Sequence, residues 1–223
     1  MFKMSPFLCI LCKRLRAAIA AKSWSLFATQ SNDKDIWAAE VDKVGLDEAY
    51  ACWRADRAAS LAKFRKLAEA GSVWAMTCLN LEDHGVDKAE AEKWYRCAYE
   101  HGSDRGLVYL AYLYLKEERL SEAESVLRAG VERGLSIAKY QLASIYLKRP
   151  TTPEKLTSAR ILLEEAAEQG DDYAADLLAK LLVRGRFGFM RIPAGVKLSV
   201  SILKRLDTLV ALHNDYDSLA RSG

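Results

Sequence analysis

The amino-acid sequence predicts an all-α fold, an α-solenoid of about five antiparallel helix pairs. Three observations predict it. Helix-favouring Ala, Leu, Glu, Lys and Arg dominate the 223 residues, with only 4 prolines and 12 glycines among them. Four strings end alike, Ala68-Glu-Ala-Gly71, Tyr99-Glu-His-Gly102, Val131-Glu-Arg-Gly134 and Ala167-Glu-Gln-Gly170, and their glycines stand 31, 32 and 36 residues apart. Small and apolar residues recur at fixed offsets from those glycines, and self-similarity at such a period marks stacked helical units.

Taken in chain order, Asp35 to about Trp53 supplies the first helix of the first pair, with less regularity than the later units, and Arg57 to Ala70 supplies the second. Four residues after each glycine stands a small residue, Ala75, Gly106, Ala138 or Ala174, and eight after stands Leu79, Leu110, Leu142 or Leu178. Seven before each glycine lies Phe64, Tyr95, Leu127 or Leu163, and eleven before lies Ser60, Ala91, Ala123 or Ala159. These spacings put one apolar stripe on each helix of a pair. Each glycine then serves as the left-handed residue that ends the second helix. Ser72, Ser103, Asp171 and the nearby Ser136 suit the start of the following helix. Ser121-Glu-Ala-Glu124 has the form of a capping box, and Thr152 precedes a proline at a first helical position. After the helix Asp171–Arg184, the segment 185–195 is predicted as a loop in which Phe187 or Phe189 covers the end of the core. A last, capping helix follows near Val196–Leu212. The expected organisation is a basic leader over residues 1–32, the repeat array over 33–212 and a tail over 213–223.

The net charge of +3 is unevenly placed, because residues 1–32 carry Lys3, Lys13, Arg14, Arg16 and Lys22 with no acid. The rest of the chain sums to −2, and a nearly neutral body lacks the clustered cations that bind nucleic acid. The leader is expected to be disordered or targeting, and a membrane surface is a partner its charge would suit. As a secretory signal it is poor: its apolar stretch Met4–Cys12 is broken by Pro6 and followed by Lys13, Arg14 and Arg16. The longest charge-free run, residues 70–81, is twelve residues, too short to span a bilayer.

Chemical motifs are few. Cys9, Cys12, Cys52, Cys78 and Cys97 form no disulfide framework, and the Cys9–Cys12 pair has no second pair or nearby His to complete a zinc set. His84, His101 and His213 stand apart in the repeat register, and His101 suits a helix C-terminus. Ser60 and Lys63 match an SxxK motif without its companions, inside a repeat helix. Gly185-Arg-Phe-Gly has neither the preceding strand nor the GK[ST] of a phosphate loop. The carboxylate pairs Glu164-Glu165 and Asp171-Asp172 fall at helix ends. No catalytic set, cofactor or metal is expected.

Two segments carry a family resemblance. Glu92-Lys-Trp-Tyr-Arg-Cys-Ala-Tyr-Glu-His-Gly102 and Ala159-Arg-Ile-Leu-Leu-Glu-Glu-Ala-Ala-Glu-Gln-Gly170 resemble the second helix of Sel1-like repeats, and Ala138-Lys-Tyr-Gln-Leu-Ala-Ser-Ile-Tyr146 resembles the first. The resemblance covers residues 57–205 clearly and 35–56 weakly. Tetratricopeptide repeats, at 34 residues, are the nearest competitor, and the terminal glycine with Trp94-Tyr95 before it favours the Sel1-like form. Units of 31 and 32 residues are short for this family and imply trimmed loops after Leu81 and Leu115. Arg105 stands where one secreted branch would place the cysteine partner of Cys97. The resemblance implies a right-handed solenoid and a non-catalytic scaffold or adaptor that binds another protein. Cytoplasmic residence is expected. The alternative is an exported or envelope-associated, periplasmic or membrane-bound protein, such as an immunity protein that inhibits a toxin.

On the first helix of each pair, offsets +3, +7, +10 and +14 fall beside the packing stripe, on the face a solenoid turns inward. They comprise Trp74, Cys78, Leu81 and Gly85; Arg105, Tyr109, Tyr112 and Lys116; Ile137, Gln141, Ser144 and Lys148; Tyr173, Leu177, Lys180 and Arg184. Aromatics with cations are the composition of protein-binding hot spots. Trp74, Arg105, Tyr109, Tyr112, Lys116, Lys148, Tyr173, Lys180 and Arg184, with the adjacent Tyr140, are therefore the predicted partner-binding residues. Lys116, Lys148 and Arg184 share one offset and are expected to form a basic ridge.

Overall fold

A computed structural model of the chain describes residues 30–40, 42–53, 55–79, 86–148, 152–202 and 204. The described residues are helical throughout their regular structure, with no strand. The leader's Cys9 and Cys12, Leu81, His84, Gly85, His213 and the tail over 213–223 lie outside them.

In chain order the helices are α1 (Asp33–Ala38), α2 (Lys43–Cys52), α3 (Arg57–Glu69), α4 (Val73–Cys78), α5 (Lys88–Glu100), α6 (Asp104–Lys116), α7 (Leu120–Glu132), α8 (Ser136–Lys148), α9 (Pro153–Glu168) and α10 (Asp172–Val183). A 3-10 turn, Phe189–Arg191, leads into a final helix, α11, whose described part covers 192–202 and 204. They pair as α2/α3, α4/α5, α6/α7, α8/α9 and α10/α11, the five pairs the repeat predicts. The chain divides into two compact units, the first running from Ala28 to Ala138 and the second, in its described residues, from Lys139 onward.

The repeat offsets set the core. All sixteen residues at +4, +8, −7 and −11 are buried, from Phe64 and Leu127 to Ser60 and Ala159. Burying a Leu or Phe side chain contributes roughly 1.5–3 kcal/mol, so these stripes hold each pair closed. The small +4 residue works by distance. A Cβ on Gly106 would stand 2.7 Å from the Ala98 Cβ and 2.8 Å from the Tyr99 backbone nitrogen, so α5 and α6 pack backbone to backbone.

Each pair hands over to the next by one device. Gly71, Gly102, Gly134 and Gly170 all take positive φ, between 82° and 95°. The following residue donates its N–H back into the finished helix: Ser72 to Leu67, Ser103 to Ala98, Leu135 to Gly130, Asp171 to Ala166. That same residue then caps the next helix. Ser72 Oγ accepts from Ala75 N–H, Ser103 Oγ from Gly106 N–H, and Asp171 Oδ1 from Tyr173 and Ala174. Leu135 has no side-chain oxygen to offer, and Gln30 fills that role for α8, its Oε1 accepting the Ser136 N–H at 3.0 Å.

Four sequence expectations need correction. The first helix is not continuous from Asp35 to Trp53: it breaks into α1 and α2, because the Asp42 carboxylate accepts Gly45 N–H at 2.7 Å and starts a new helix. Ser121 is not a cap. Helix α7 begins at Leu120 after Glu118 takes φ 59°, and the Arg119 carbonyl accepts the first helical N–H, from Ala123. The final helix begins at 192, four residues before Val196, so Pro193 and Gly195 are helical, not looped. Gly195 lets α11 meet α10, since a Cβ there would lie 2.6 Å from Leu182 Cβ. Phe189, expected as a core cover, is 75% exposed, and the half-buried Phe187 is the more enclosed of the two. Thr152 caps α9 as expected, accepting from Lys155 N–H, with Pro153 at the first position.

Candidate functional site

The side chains at +3, +7, +10 and +14 of the first helices separate cleanly from the core set. Among the described residues none of them is buried. On α6, α8 and α10 exposure rises from half-buried at +3 to exposed at +14, where Lys116, Lys148 and Arg184 stand.

In the unit that ends at Ala138, Tyr112 is 47% exposed on α6, and the Lys116 Nζ lies 6.0 Å from its ring centroid. One turn earlier Tyr109 leans on the buried Tyr95, centroids 5.3 Å apart, which fixes its ring against α5. Arg105 and Trp74 come together on neighbouring first helices, the guanidinium 4.3 Å from the indole centroid. Such stacking suits the planar, weakly hydrated guanidinium.

Residues the sequence analysis did not single out complete this corner. Trp37 of α1 meets Trp74 edge to face at 5.0 Å. Asp33 accepts from Arg105 at 3.0 Å, and Trp74 Nε1 donates to the Tyr50 hydroxyl, which in turn contacts Cys78 Sγ at 2.8 Å. Asp33, Lys34, Trp37, Tyr50, Trp74 and Arg105 line one open groove. Burial pushes the Cys78 thiol up to about 11, so it stays protonated near neutral pH and acts as a packing group. No periodicity marked Asp33 or Trp37, because α1 is too short to show any.

In the unit from Lys139 onward, Tyr140 and Tyr173 tilt against each other with centroids 5.9 Å apart, and burial raises the titration of both phenols. Lys180 pairs with Asp176 one turn before it. Gln141 presents a buried Oε1 without a hydrogen-bond partner. Lys139, beside the predicted strip, is buried and holds Glu165 at 2.8 Å. Lys148 and Arg184 are exposed at the ends of their helices.

The motifs set aside as chemistry have structural partners. Ser60 is fully buried and its Oγ donates to the Ala49 carbonyl at 2.6 Å, while Lys63 pairs with Glu48 on the surface. His101 Nδ1 hydrogen-bonds the Cys97 carbonyl at the end of α5. Among the described residues no three His, Cys, Asp or Glu side chains converge as a metal site, and no helix is long and apolar enough to cross a membrane.

No protein-family model and no curated protein sequence matches this chain. Its structure is similar to the crystal structure of a Sel1 repeat protein from Oxalobacter formigenes, at 21% identity and a TM-score of 0.58, over 74% of each chain. The chain has the fold of a Sel1 repeat protein. A weaker likeness, at 18% identity and a TM-score of 0.34, is to c5321, a protective antigen of uropathogenic Escherichia coli strains with an SLR fold. It covers 77% of this chain and 55% of that one and adds nothing to the assignment. In this fold the glycine stop, the small +4 residue and the Leu at +8 set the helix pairing, and the described +3 to +14 residues lie outside the buried set.

Proposed function

We propose that this chain is a non-catalytic interaction module that binds a partner protein on the face of its first helices. One observation carries the reading: Tyr112 and Lys116 are exposed side by side on α6, a helix whose Leu107, Leu110 and Leu113 are sealed in the core. An exposed aromatic with a cation over it, held on a rigid helix, supplies large contact area at low ordering cost. In the unit that ends at Ala138, Tyr109 and the Trp74–Arg105 pair add to this composition; the unit from Lys139 onward shows it by itself in Tyr140, Tyr173, Lys148, Lys180 and Arg184. The cytoplasm is the compartment we propose for this role, on the odd and irregularly spaced cysteines.

The test is affinity purification from the native host, comparing the wild-type chain with Tyr112→Ala/Lys148→Glu. Loss of a co-purifying protein from a variant that keeps its helical circular dichroism supports the reading. Full retention of every partner by the folded double variant overturns it. The mature N-terminus of the protein decides between an adaptor that keeps residues 1–32 and an exported form that loses them.

A further inference from the structure

Residues 30–40 run across the start of three consecutive first helices and touch each with a polar side chain. Gln30 caps α8 through Ser136. Asn32 grips the start of α6: its Nδ2 donates to the Gly102 carbonyl at 2.7 Å, its Oδ1 accepts from Asp104 N–H, and its own N–H donates to Asp104 Oδ2. Glu40 accepts from Ser72 Oγ at 2.8 Å, just ahead of α4. Between these points Asp33 meets Arg105 and Trp37 meets Trp74. Two of the residues that the repeat register marks for partner contact are thus already engaged by the chain itself.

The segment is attached as a ligand is attached, by side chains. Helix α1 has six residues, far below the length at which a helix is stable alone. Of its residues only Asp33 is buried; Lys34, Asp35, Ala38 and the adjoining Ala39 are exposed. Asp42 then starts α2 afresh, so α1 continues into no repeat helix.

We propose that residues 30–40 are an internal ligand of this strip, and that the strip's external partner is a protein segment of the same chemistry. That segment carries a carboxylate followed, one helical turn later, by an indole or similar ring. The spacing comes from Asp33 and Trp37. The carboxylate is required because leaving Arg105 half-buried without its anion costs far more than exchanging one carboxylate for another. The ring is required because Trp74 otherwise loses its edge-to-face neighbour. The inference rests on the reading of the chain as an interaction module, and it adds that part of the face is self-occluded until a competitor displaces residues 30–40.

The probe is a fluorescent synthetic peptide of residues 28–41, titrated by anisotropy into full-length chains. The wild type should bind it weakly, because the tethered copy competes. Asp33→Lys/Trp37→Ala should bind at least tenfold more tightly, and adding Trp74→Ala/Arg105→Glu should abolish that binding. Equal affinity for the wild type and the first double variant overturns the proposal, as does binding that survives the strip substitutions or no binding at all. Should the variants lose their helical circular dichroism, hydrogen exchange on the wild type decides. Amides of 33–38 should exchange at least a hundredfold faster than those of α6, through an opening that leaves α5–α7 protected. Equal protection would make the segment part of the cooperative core and end the proposal. Tyr112 and Lys148 are untouched in these variants, so this outcome is separate from that of the partner pull-down.

Discussion

Gln30 caps a helix 106 positions further along the chain, its Oε1 accepting the Ser136 N–H. The residue that holds this place in the other units is Ser or Asp, whereas here it is the fully buried Leu135. Gln30→Ala should therefore lower the unfolding free energy by about 0.5–2 kcal/mol, the usual cost of a lost cap. Gln30→Glu keeps an acceptor and adds negative charge at a helix start, so it should match or exceed the wild type. Urea titrations of the two variants check this, and identical midpoints would rule out the capping role.

Leu110 and Tyr112 stand two residues apart on α6 with opposite duties. Leu110, 1% exposed, should cost about 2–5 kcal/mol when cut to Ala, through lost burial and an unfilled cavity. Leu142→Ala in α8 should behave alike. Tyr112→Ala should move stability by no more than about 0.5 kcal/mol, as surface changes do. Thermal melts of the three variants make the comparison, and a large loss at Tyr112 would show a packing role.

Glu118 holds a left-handed conformation, φ 59°, at the end of α6, where Gly71, Gly102, Gly134, Gly170 and Gly185 end their own helices. Its N–H donates to Leu115 and the next N–H donates to Tyr114, the same closing bonds those glycines make. A side chain there is strained by roughly 1 kcal/mol, so Glu118→Gly should raise the melting temperature despite the looser unfolded chain. A fall in melting temperature would mean that the Glu118 side chain contributes more than its backbone costs.

Glu92 accepts from Arg119 at 2.6 Å, from Arg96 at 2.7 Å and from the Tyr114 hydroxyl at 3.1 Å, joining α5, α6 and the start of α7. The Arg119 guanidinium, with Arg96 and Tyr114, holds its carboxyl down at about 2, against an ordinary 4.5. A depressed carboxylate stabilises the fold above its unfolded titration and loses that contribution as pH falls through the folded one. The wild type should lose stability relative to Glu92→Gln as pH drops from about 4.5 toward 2. Parallel pH profiles for the two chains would remove Glu92 from the account.

The repeat was legible because its determinants are local and recur. A small residue at +4 and Leu at +8 follow each of the four glycine stops, and every one of these +4 and +8 residues is buried. The corrections fall where a distant or a unique contact intervenes. Asp42 ends one helix and begins another with a single side-chain bond, and nothing in the pattern separates it from any surface Asp. The α7 start depends on the left-handed Glu118, which sequence reasoning assigns to glycine by default. The +3 to +14 register was legible as a set of residues outside the core, with Trp74, Arg105, Tyr109, Tyr112 and Lys116 among them. The segment laid over Trp74 and Arg105 was not, because Asp33 and Trp37 reach them across long stretches of chain.

The handover between pairs leaves no spare residue. In each case the first helix starts two positions after the glycine, at Val73, Asp104, Ser136 and Asp172, and the residue between belongs to both helices. A unit can therefore lengthen or shorten only on its other side, between its own two helices. The 31-, 32- and 36-residue spacings differ in just that way, through the reach from Cys78 to Lys88, from Lys116 to Leu120, and from Lys148 to Pro153 with its longer α9. Insertions tolerated by this protein are accordingly confined to one edge of each pair, where loops can diverge and acquire new contacts without disturbing the succession of helices.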